Sequence, residues 1–149
     1  MIDLATARND NEHLALTLLK SMEDGTLVET MQEICTEDFL WANSGLPTLH
    51  GQQAILEHMA SGGFAQHLPL LKTMASFSAD VLEIASFREF VYTERIDHHW
   101  DAAGRDLMTP VISGVMEIRD GKVCALKDYY DTECYEQEPT APDPAHATA

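Results

Sequence analysis

An arginine and an aspartate, Arg95 and Asp97, interrupt the β-branched and aromatic run Val91-Tyr92-Thr93-Glu94-Arg95-Ile96-Asp97-His98. A second acidic run, Leu126-Lys127-Asp128-Tyr129-Tyr130, follows near the C-terminal end. Alternation in a strand puts Val91, Thr93, Arg95 and Asp97 on one face and Tyr92, Glu94, Ile96 and His98 on the other. On an exposed face the Arg95–Asp97 pair would be an ion pair of little energetic weight. On a buried face a guanidinium and a carboxylate cost desolvation energy unless they are paired. Three features favour the buried reading: Val91 and Thr93 on the same face, Asp128 on a last strand able to neighbour this one in a meander, and Trp41 and Asn43 sharing a face of Phe39-Leu40-Trp41-Ala42-Asn43. With Asp128 in the same cavity the set becomes Asp–Arg–Asp, two carboxylates about one fixed positive charge, which is an arrangement suited to acid/base work.

Other chemistry-bearing residues point less sharply. His98 and His99 are adjacent, and neighbouring strand residues face opposite ways, so no shared metal ion is expected. His50, His58 and His67 lack ligand spacing and suit a surface or a pocket rim. Tyr130 shares the face of Asp128 and can line the pocket. Met59, Phe64 and Leu68, with Leu56, can form an apolar lid, at a spacing that equally suits ordinary core. Glu94 and Asp131 alternate away from the site. Cys124 falls on the Asp128 face by parity, without the surroundings of an activated thiol.

The elements that must position these groups follow from local patterns. Asn9 to Met22 reads as a helix with Leu14, Leu18 and Met22 at helical spacing and Asn9 or Asp10 as cap. Asp24-Gly25 breaks it, and Thr26-Leu27-Val28-Glu29 is a capping-box pattern opening a second helix to about Cys35. Asp38 to Asn43 is extended, Gly45-Leu46-Pro47 turns, and a third helix runs from Gln52 to Ala60 before Ser61-Gly62-Gly63. Strands are expected over 73–86, 89–98, 106–118 and 122–134, broken at Ala102-Ala103-Gly104 and at the hairpin signal Asp120-Gly121. Helices followed by an antiparallel meander make an α+β fold in which a curved, mainly antiparallel sheet wraps the helices into a cone with an internal pocket. Residues 1–135 form that single domain, and the acidic, Pro/Ala-rich 136–149 is expected to be a disordered tail.

Composition removes several classes. At 149 residues with 45% hydrophobic and 23% charged content, one domain with a substantial core is expected. A formal charge of −16 argues against nucleic acid or an anionic membrane as partner. It leaves neutral or cationic substrates, with distant charges screened beyond about 8–10 Å. No run of apolar residues suits a membrane span, and no secretory leader is read at the N-terminus. Three cysteines without zinc or redox spacing point to a reduced, cytoplasmic protein.

Thr93-Glu94-Arg95-Ile96-Asp97, Lys127-Asp128-Tyr129-Tyr130-Asp131 and Trp41-Ala42-Asn43-Ser44-Gly45-Leu46-Pro47 together resemble the limonene-1,2-epoxide hydrolase family, over residues 8–135 and in the same order of elements. That family has the cone fold shared by ketosteroid-isomerase-like and polyketide-cyclase-like proteins, and the fold alone does not select a reaction. The resemblance implies one-step hydrolysis of a small apolar epoxide to a vicinal diol, with no cofactor and no metal. It makes Asp128 the base that takes a proton from water, Asp97 the acid that protonates the epoxide oxygen, and Arg95 the link between them. Asn43 accepts the second hydrogen of the water. Where the family has a tyrosine this chain has Trp41, whose Nε1–H is only a donor. Close carboxylates split their pKa values, and unequal desolvation selects which keeps the proton. Two other readings use the same pocket: an isomerase or cyclase moving a proton on a carbonyl substrate, or a non-catalytic small-molecule-binding protein. A homodimer through the outer sheet face, with Tyr92, Ile96 and Met116, is also expected by analogy.

Overall fold

The computed structural model describes residues 1–148. Its first helix, α1 (Asp10–Asp24), starts where the Asn9 side chain accepts the Glu12 backbone N–H and stops at Gly25, whose φ of 72° suits a residue without Cβ. Ala15, Leu16, Leu18 and Leu19 are its buried apolar residues. Leu14 and Met22, expected at the centre of that face, lie at its edges and pack against the core only partly buried. The second helix, α2 (Leu27–Ile34), has no side-chain cap from Thr26. The Thr26 backbone N–H donates to the Ser21 carbonyl at 2.8 Å and its carbonyl accepts from Thr30 N at 3.0 Å, so its backbone closes the first helix and opens the second without the side chain. The third helix, α3, spans Gln52–Ala60.

Six strands, β1 (Cys35–Asn43), β2 (Leu49–His50), β3 (Met74–Phe87), β4 (Phe90–Asp101), β5 (Val111–Arg119) and β6 (Lys122–Tyr129), form one open sheet in the order β2-β1-β6-β5-β4-β3. All neighbours are antiparallel except β1 and β6, which run parallel. The sheet is therefore mixed, with β1 returning beside the last strand. Register shifts in the β1–β6, β3–β4 and β5–β6 pairs supply the local bends that let such a sheet curve. The helices α1 and α2 fill the concavity, where Leu16, Leu19, Met31, Phe39, Val91, Met116 and Leu126 belong to one buried cluster. A smaller cluster, Leu68, Leu71, Leu107 and Met108, roofs the other end. The result is the cone-shaped α+β fold expected.

Several expectations change. Met116 is 2% exposed, because β5 aligns it with buried Val91; it belongs to the core and not to the outer face. The strand expected from 106 begins only at Val111, since Pro110 offers no N–H and Asp106 makes one isolated bridge with Trp100. The strand expected to reach 134 stops at Tyr129, and a 3-10 turn follows at Thr132–Glu136, capped by Asp131. Between Glu117 and Ile118 the register skips Cys124, an extra residue on β6, so Val123 and Leu126 both enter the core. That bulge breaks the parity which placed Cys124 on the Asp128 face.

The tail departs from its composition. Residues 137–148 contain no helix or strand, as Pro and Ala favour, yet they are tied to the β4–β5 connection. Thr140 N donates to the Asp106 carbonyl at 3.0 Å, Asp143 N to the Gly104 carbonyl at 3.1 Å and Thr148 N to the Ala102 carbonyl at 3.1 Å. His146 stacks on Trp100 with centroids 3.7 Å apart. Gly104 is required there, because a Cβ would lie 2.0 Å from the Asp143 carbonyl oxygen. Composition sees only how little apolar area such a segment can bury, not the backbone acceptors waiting for it. The final tail residue, Ala149, lies outside the described residues.

Candidate active site

Strand β4 alternates as its sequence requires: Val91, Thr93, Arg95 and Asp97 are buried while Tyr92 and Glu94 are exposed. Arg95 is 1% exposed, among the largest fully buried side chains of the protein. Its Nε donates to Asp97 Oδ1 at 2.8 Å and its Nη2 to Asp97 Oδ2 at 3.2 Å. Nη2 also donates to Asp128 Oδ2 at 2.5 Å, and Nη1 to Asp128 Oδ1 at 3.0 Å. A last bond from Nη1 reaches Thr93 Oγ1 at 3.3 Å. A guanidinium has five N–H groups, and these five bonds engage all of them. Arg95 is thus a fixed link between two carboxylates with no donor left for a ligand.

Asp128 is not on a strand adjacent to Arg95, as a simple meander suggested. Strand β5 lies between β4 and β6, and the bridge crosses it at Gly114, which is registered with Thr93 on one side and Asp128 on the other. A Cβ at position 114 would sit 2.5 Å from Arg95 Nη1, 2.8 Å from Asp128 Oδ1 and 2.9 Å from Thr93 Oγ1. Glycine makes the trio possible. A glycine inside a strand is a readable sign of close approach, and it is the residue that chemistry-led reading passes over.

The electrostatics follow from burial and from the count of charges. Burial alone would lower the Arg95 pKa, but Asp128 and Asp97 outweigh it and raise it. Burial pushes the Asp128 carboxyl upward; Arg95 opposes this and the charge of Asp97 adds to it. Two carboxylates and one guanidinium leave one excess negative charge at the site, and burial together with the Asp97 charge is what raises Asp128 against the pull of Arg95.

Strand β1 brings the polar partners. Its parallel register sets Asn43 beside Asp128 and Trp41 beside Leu126. Trp41 Nε1 is buried without a partner, its ring edge-on to Phe64 with centroids 5.1 Å apart. The Asn43 side chain lies 3.4 Å from the Tyr130 hydroxyl, which lies 2.7 Å from the Tyr135 hydroxyl, which in turn donates to the Ser44 carbonyl. Each phenol has one hydrogen. Because the Ser44 carbonyl can only accept, Tyr135 gives it its hydrogen and receives that of Tyr130. Tyr130 then has only lone pairs for Asn43, so the amide presents Nδ2 to Tyr130 and directs Oδ1 the other way. The two ends of an amide are assigned by their partners, and this orientation also supplies the partner that Nδ2 otherwise lacks. Tyr135 was not singled out by its sequence context, because only the 3-10 turn after β6 carries it back to Ser44.

Most of these side chains line one cavity of about 660 Å³. Arg95, Asp97, Asp128, Asn43, Trp41 and Tyr130 contribute its polar wall, and Met59, Phe64 and Leu68 line it from α3 and the segment after it. His58 belongs to the rim as expected, beside Phe64 and His67, and burial and then the nearby His67 lower its pKa. Among the described residues no group of three or more His, Cys, Asp and Glu side chains could hold a metal ion, and no helix is long and apolar enough to cross a membrane.

Comparison with known proteins adds an independent finding. The family described as the limonene-1,2-epoxide hydrolase catalytic domain matches residues 10–137. A solved LEH-like epoxide hydrolase from M. tuberculosis superposes with a TM-score of 0.66 at 19% identity, covering 85% of this chain and 86% of that one. TerC, co-crystallised with polyporic acid, gives 0.66 at 20% identity over 87% and 100% of the two chains. A putative SnoaL-like polyketide cyclase from Jannaschia sp. CCS1 gives 0.64 at 12% identity over 87% and 94%. At these identities the structural likenesses establish the cone fold.

Proposed function

The chain belongs to the limonene-1,2-epoxide hydrolase family, and from that premise we propose that it hydrolyses a small epoxide to a vicinal diol in one step. Asp128 is the base, Asp97 the acid and Arg95 the link that keeps both in place. The observation that carries this reading is the saturated arginine: its five N–H groups are all engaged by Thr93 and the two carboxylates. It serves neither as a substrate anchor nor as an anion site, and what it leaves free is one proton to be exchanged between two acids.

Water has a natural place beside Asp128. A water about to attack donates its two hydrogens, accepts one hydrogen bond and keeps one lone pair for the carbon. We assign Asp128 and Asn43 as the two acceptors and Trp41 as the donor; its Nε1–H, buried without a partner, meets the water once the indole turns toward the cavity. The Tyr130–Tyr135–Ser44 chain fixes the orientation of the Asn43 amide beside Asp128. The reading requires the proton to be on Asp97 when the epoxide binds, although burial favours it on Asp128; Asp97 then donates it to the epoxide oxygen as the C–O bond breaks, which avoids a free alkoxide. The proton taken by Asp128 returns to Asp97 before the next turnover. Met59, Phe64 and Leu68 hold the apolar part of the substrate.

The decisive experiment incubates the protein with limonene oxide, styrene oxide and cyclohexene oxide between about pH 5 and 9 and looks for diols. A single turnover in ¹⁸O-water with enzyme in excess must put label in the first diol. An unlabelled first diol would mean oxygen donated by an aspartate and would refute direct attack by water. We also place the protein in the reducing cytoplasm, in keeping with its three free cysteines. Exposed Tyr92, Val111 and Tyr129, with Ile96, suit a homodimer through the outer sheet face, which sedimentation would detect.

A further inference from the structure

The cavity wall beyond Asp97 carries a polar side chain that epoxide opening does not use. His99 follows Asp97 by two residues on β4, so both side chains leave the strand on the concave face, about 7 Å apart along it, and both line the cavity. Its surroundings are apolar. The ring meets Phe77 edge-on with centroids 5.5 Å apart, and Met74, Met108 and Ile112 line the same cavity.

The ring is held in one orientation and one tautomer. Nδ1 lies 2.7 Å from the Met108 carbonyl oxygen, which can only accept, so Nδ1 carries the hydrogen. The backbone N–H of His99 donates to Asp106 Oδ1 at 3.0 Å, and its carbonyl accepts from Leu107 N at 2.8 Å. Asp106 is itself fixed by His98 Nδ1 at 2.6 Å and by Thr140 Oγ1, which accepts from its backbone N–H at 2.9 Å. Burial lowers the His99 pKa, with the Met108 bond and the charges of Asp97 and Asp106 opposing and nearby His98 reinforcing it. The ring is therefore neutral at pH 7, and Nε2 presents a lone pair. That atom has no hydrogen-bond partner among the described residues, and unlike Trp41 Nε1 it is not sealed off by protein atoms.

A fixed acceptor in an apolar wall penalises a wholly apolar occupant, which strips its water and returns nothing. It rewards an occupant that brings a donor. An ammonium would be drawn to the acid pair instead, and a carboxylate has no hydrogen to give a lone pair, which leaves a neutral donor, most simply an O–H. We propose that the preferred substrate is an epoxide bearing a hydroxyl group, whose O–H donates to His99 Nε2 while the epoxide oxygen lies at Asp97. His99 is a specificity-determining residue in this scheme. The proposal deepens the epoxide hydrolase reading and rests on it for the reacting group, but the contact to His99 is testable without turnover.

Two matched pairs separate the questions. Binding of cyclohexylmethanol and of its methyl ether, which lacks the donor, is measured by calorimetry. Hydrolysis of 3,4-epoxycyclohexylmethanol and of its methyl ether is compared as a ratio of kcat/KM. The wild-type protein should favour the hydroxyl compound by about tenfold in both, the worth of one net hydrogen bond to a buried acceptor. His99→Asn keeps a donor for the Met108 carbonyl but has no atom at the Nε2 position, and its ratio should fall to about one. His99→Gln reaches that position and should keep a preference of several-fold. A merely structural histidine would give the opposite order, since the asparagine variant preserves the Met108 bond. Equal binding of the two alcohol-and-ether ligands by the wild-type protein, or a preference surviving in His99→Asn, overturns the proposal. A binding preference without turnover of either epoxide sustains His99 and refutes the hydrolase reading instead.

Discussion

Two arginine–carboxylate clusters in this chain use the same functional groups to opposite ends. At the edge of the sheet Arg8 meets one carboxylate, Glu12, whose side chain is fully buried while that of Arg8 is 64% exposed. Glu12 accepts from Arg8 N at 2.9 Å, Nε at 3.2 Å and Nη2 at 2.8 Å, and from Ser86 Oγ at 3.0 Å. The Arg8 side-chain bond, aided by its backbone N–H and by Ser86, outweighs burial and holds the Glu12 carboxyl down at about 2. In the cavity one buried arginine serves two carboxylates, and burial moves Asp128 the other way. Glu12 has four donors and a cation that keeps much of its water; Asp128 has a share of one. An arginine beside an acid is thus no sign of catalysis in itself. An excess of acid over arginine, out of water, is what turns an anchor into a store of protons.

The contrast can be broken from either side. Asp97→Asn and Asp128→Asn should each lower epoxide kcat/KM by about 10³-fold or more, the scale of general acid–base catalysis. Glu12→Gln should leave it within about twofold, since the residue is remote from the reacting groups. The Asp128 change also has a sign in stability. A carboxyl raised in the folded state favours the fold at low pH and loses that contribution as pH rises through its folded pKa. Asp128→Asn should therefore gain melting temperature relative to the wild type as pH rises, as a series of thermal melts would show.

Removing the cation tests the cavity cluster more bluntly. Arg95→Leu leaves two buried acids uncompensated and should cost about 3–5 kcal/mol in urea denaturation, more at alkaline than at acidic pH. Gly114→Ala drives a methyl into the guanidinium and should lower kcat about 10–100-fold by misplacing both acids. Glu12→Gln should cost about 1–3 kcal/mol by weakening a buried acceptor. The wild-type contribution of Glu12 is fully present above the ordinary carboxyl pKa near 4.5 and is lost as pH falls through about 2. The glutamine variant should lack that part of the acid transition. The smallest effect is Trp41→Tyr, expected to raise epoxide turnover several-fold, under about 1 kcal/mol, by offering the water a better placed hydroxyl.

Much of the site is legible in the sequence because it depends on parity and residue type. The alternation along Val91 to Asp97 places Arg95 and Asp97 on the buried face without any knowledge of the partner strands, and the pocket residues Met59, Phe64 and Leu68 follow from one amphipathic stretch. What stays hidden depends on three-dimensional coincidence. One extra residue opposite Glu117 and Ile118 reverses the parity of Cys124, and no local pattern announces a bulge. Met116 reads as an outward residue only until its partner, Val91, is known. Gly114 has no functional group, so its contribution is visible only once Arg95 crosses it. In the sequence His99 is only half of a histidine pair unsuited to a metal; its meaning lies in the Met108 carbonyl, which chooses its tautomer from nine residues away. The parallel pairing of β1 with β6 is non-local by nature, and it is what sets Asn43 beside Asp128.

The tail that composition marks as idle has a consequence for design. Thr140 holds Asp106, Asp106 holds the backbone of His99, and His99 forms the far wall of the cavity. Selectivity in this protein can accordingly be edited from outside the cavity, by shortening, stiffening or grafting a strand-free segment, with no catalytic side chain exchanged. Substitutions remote from the substrate, at Thr140 or Asp106, would act on the specificity wall through this brace.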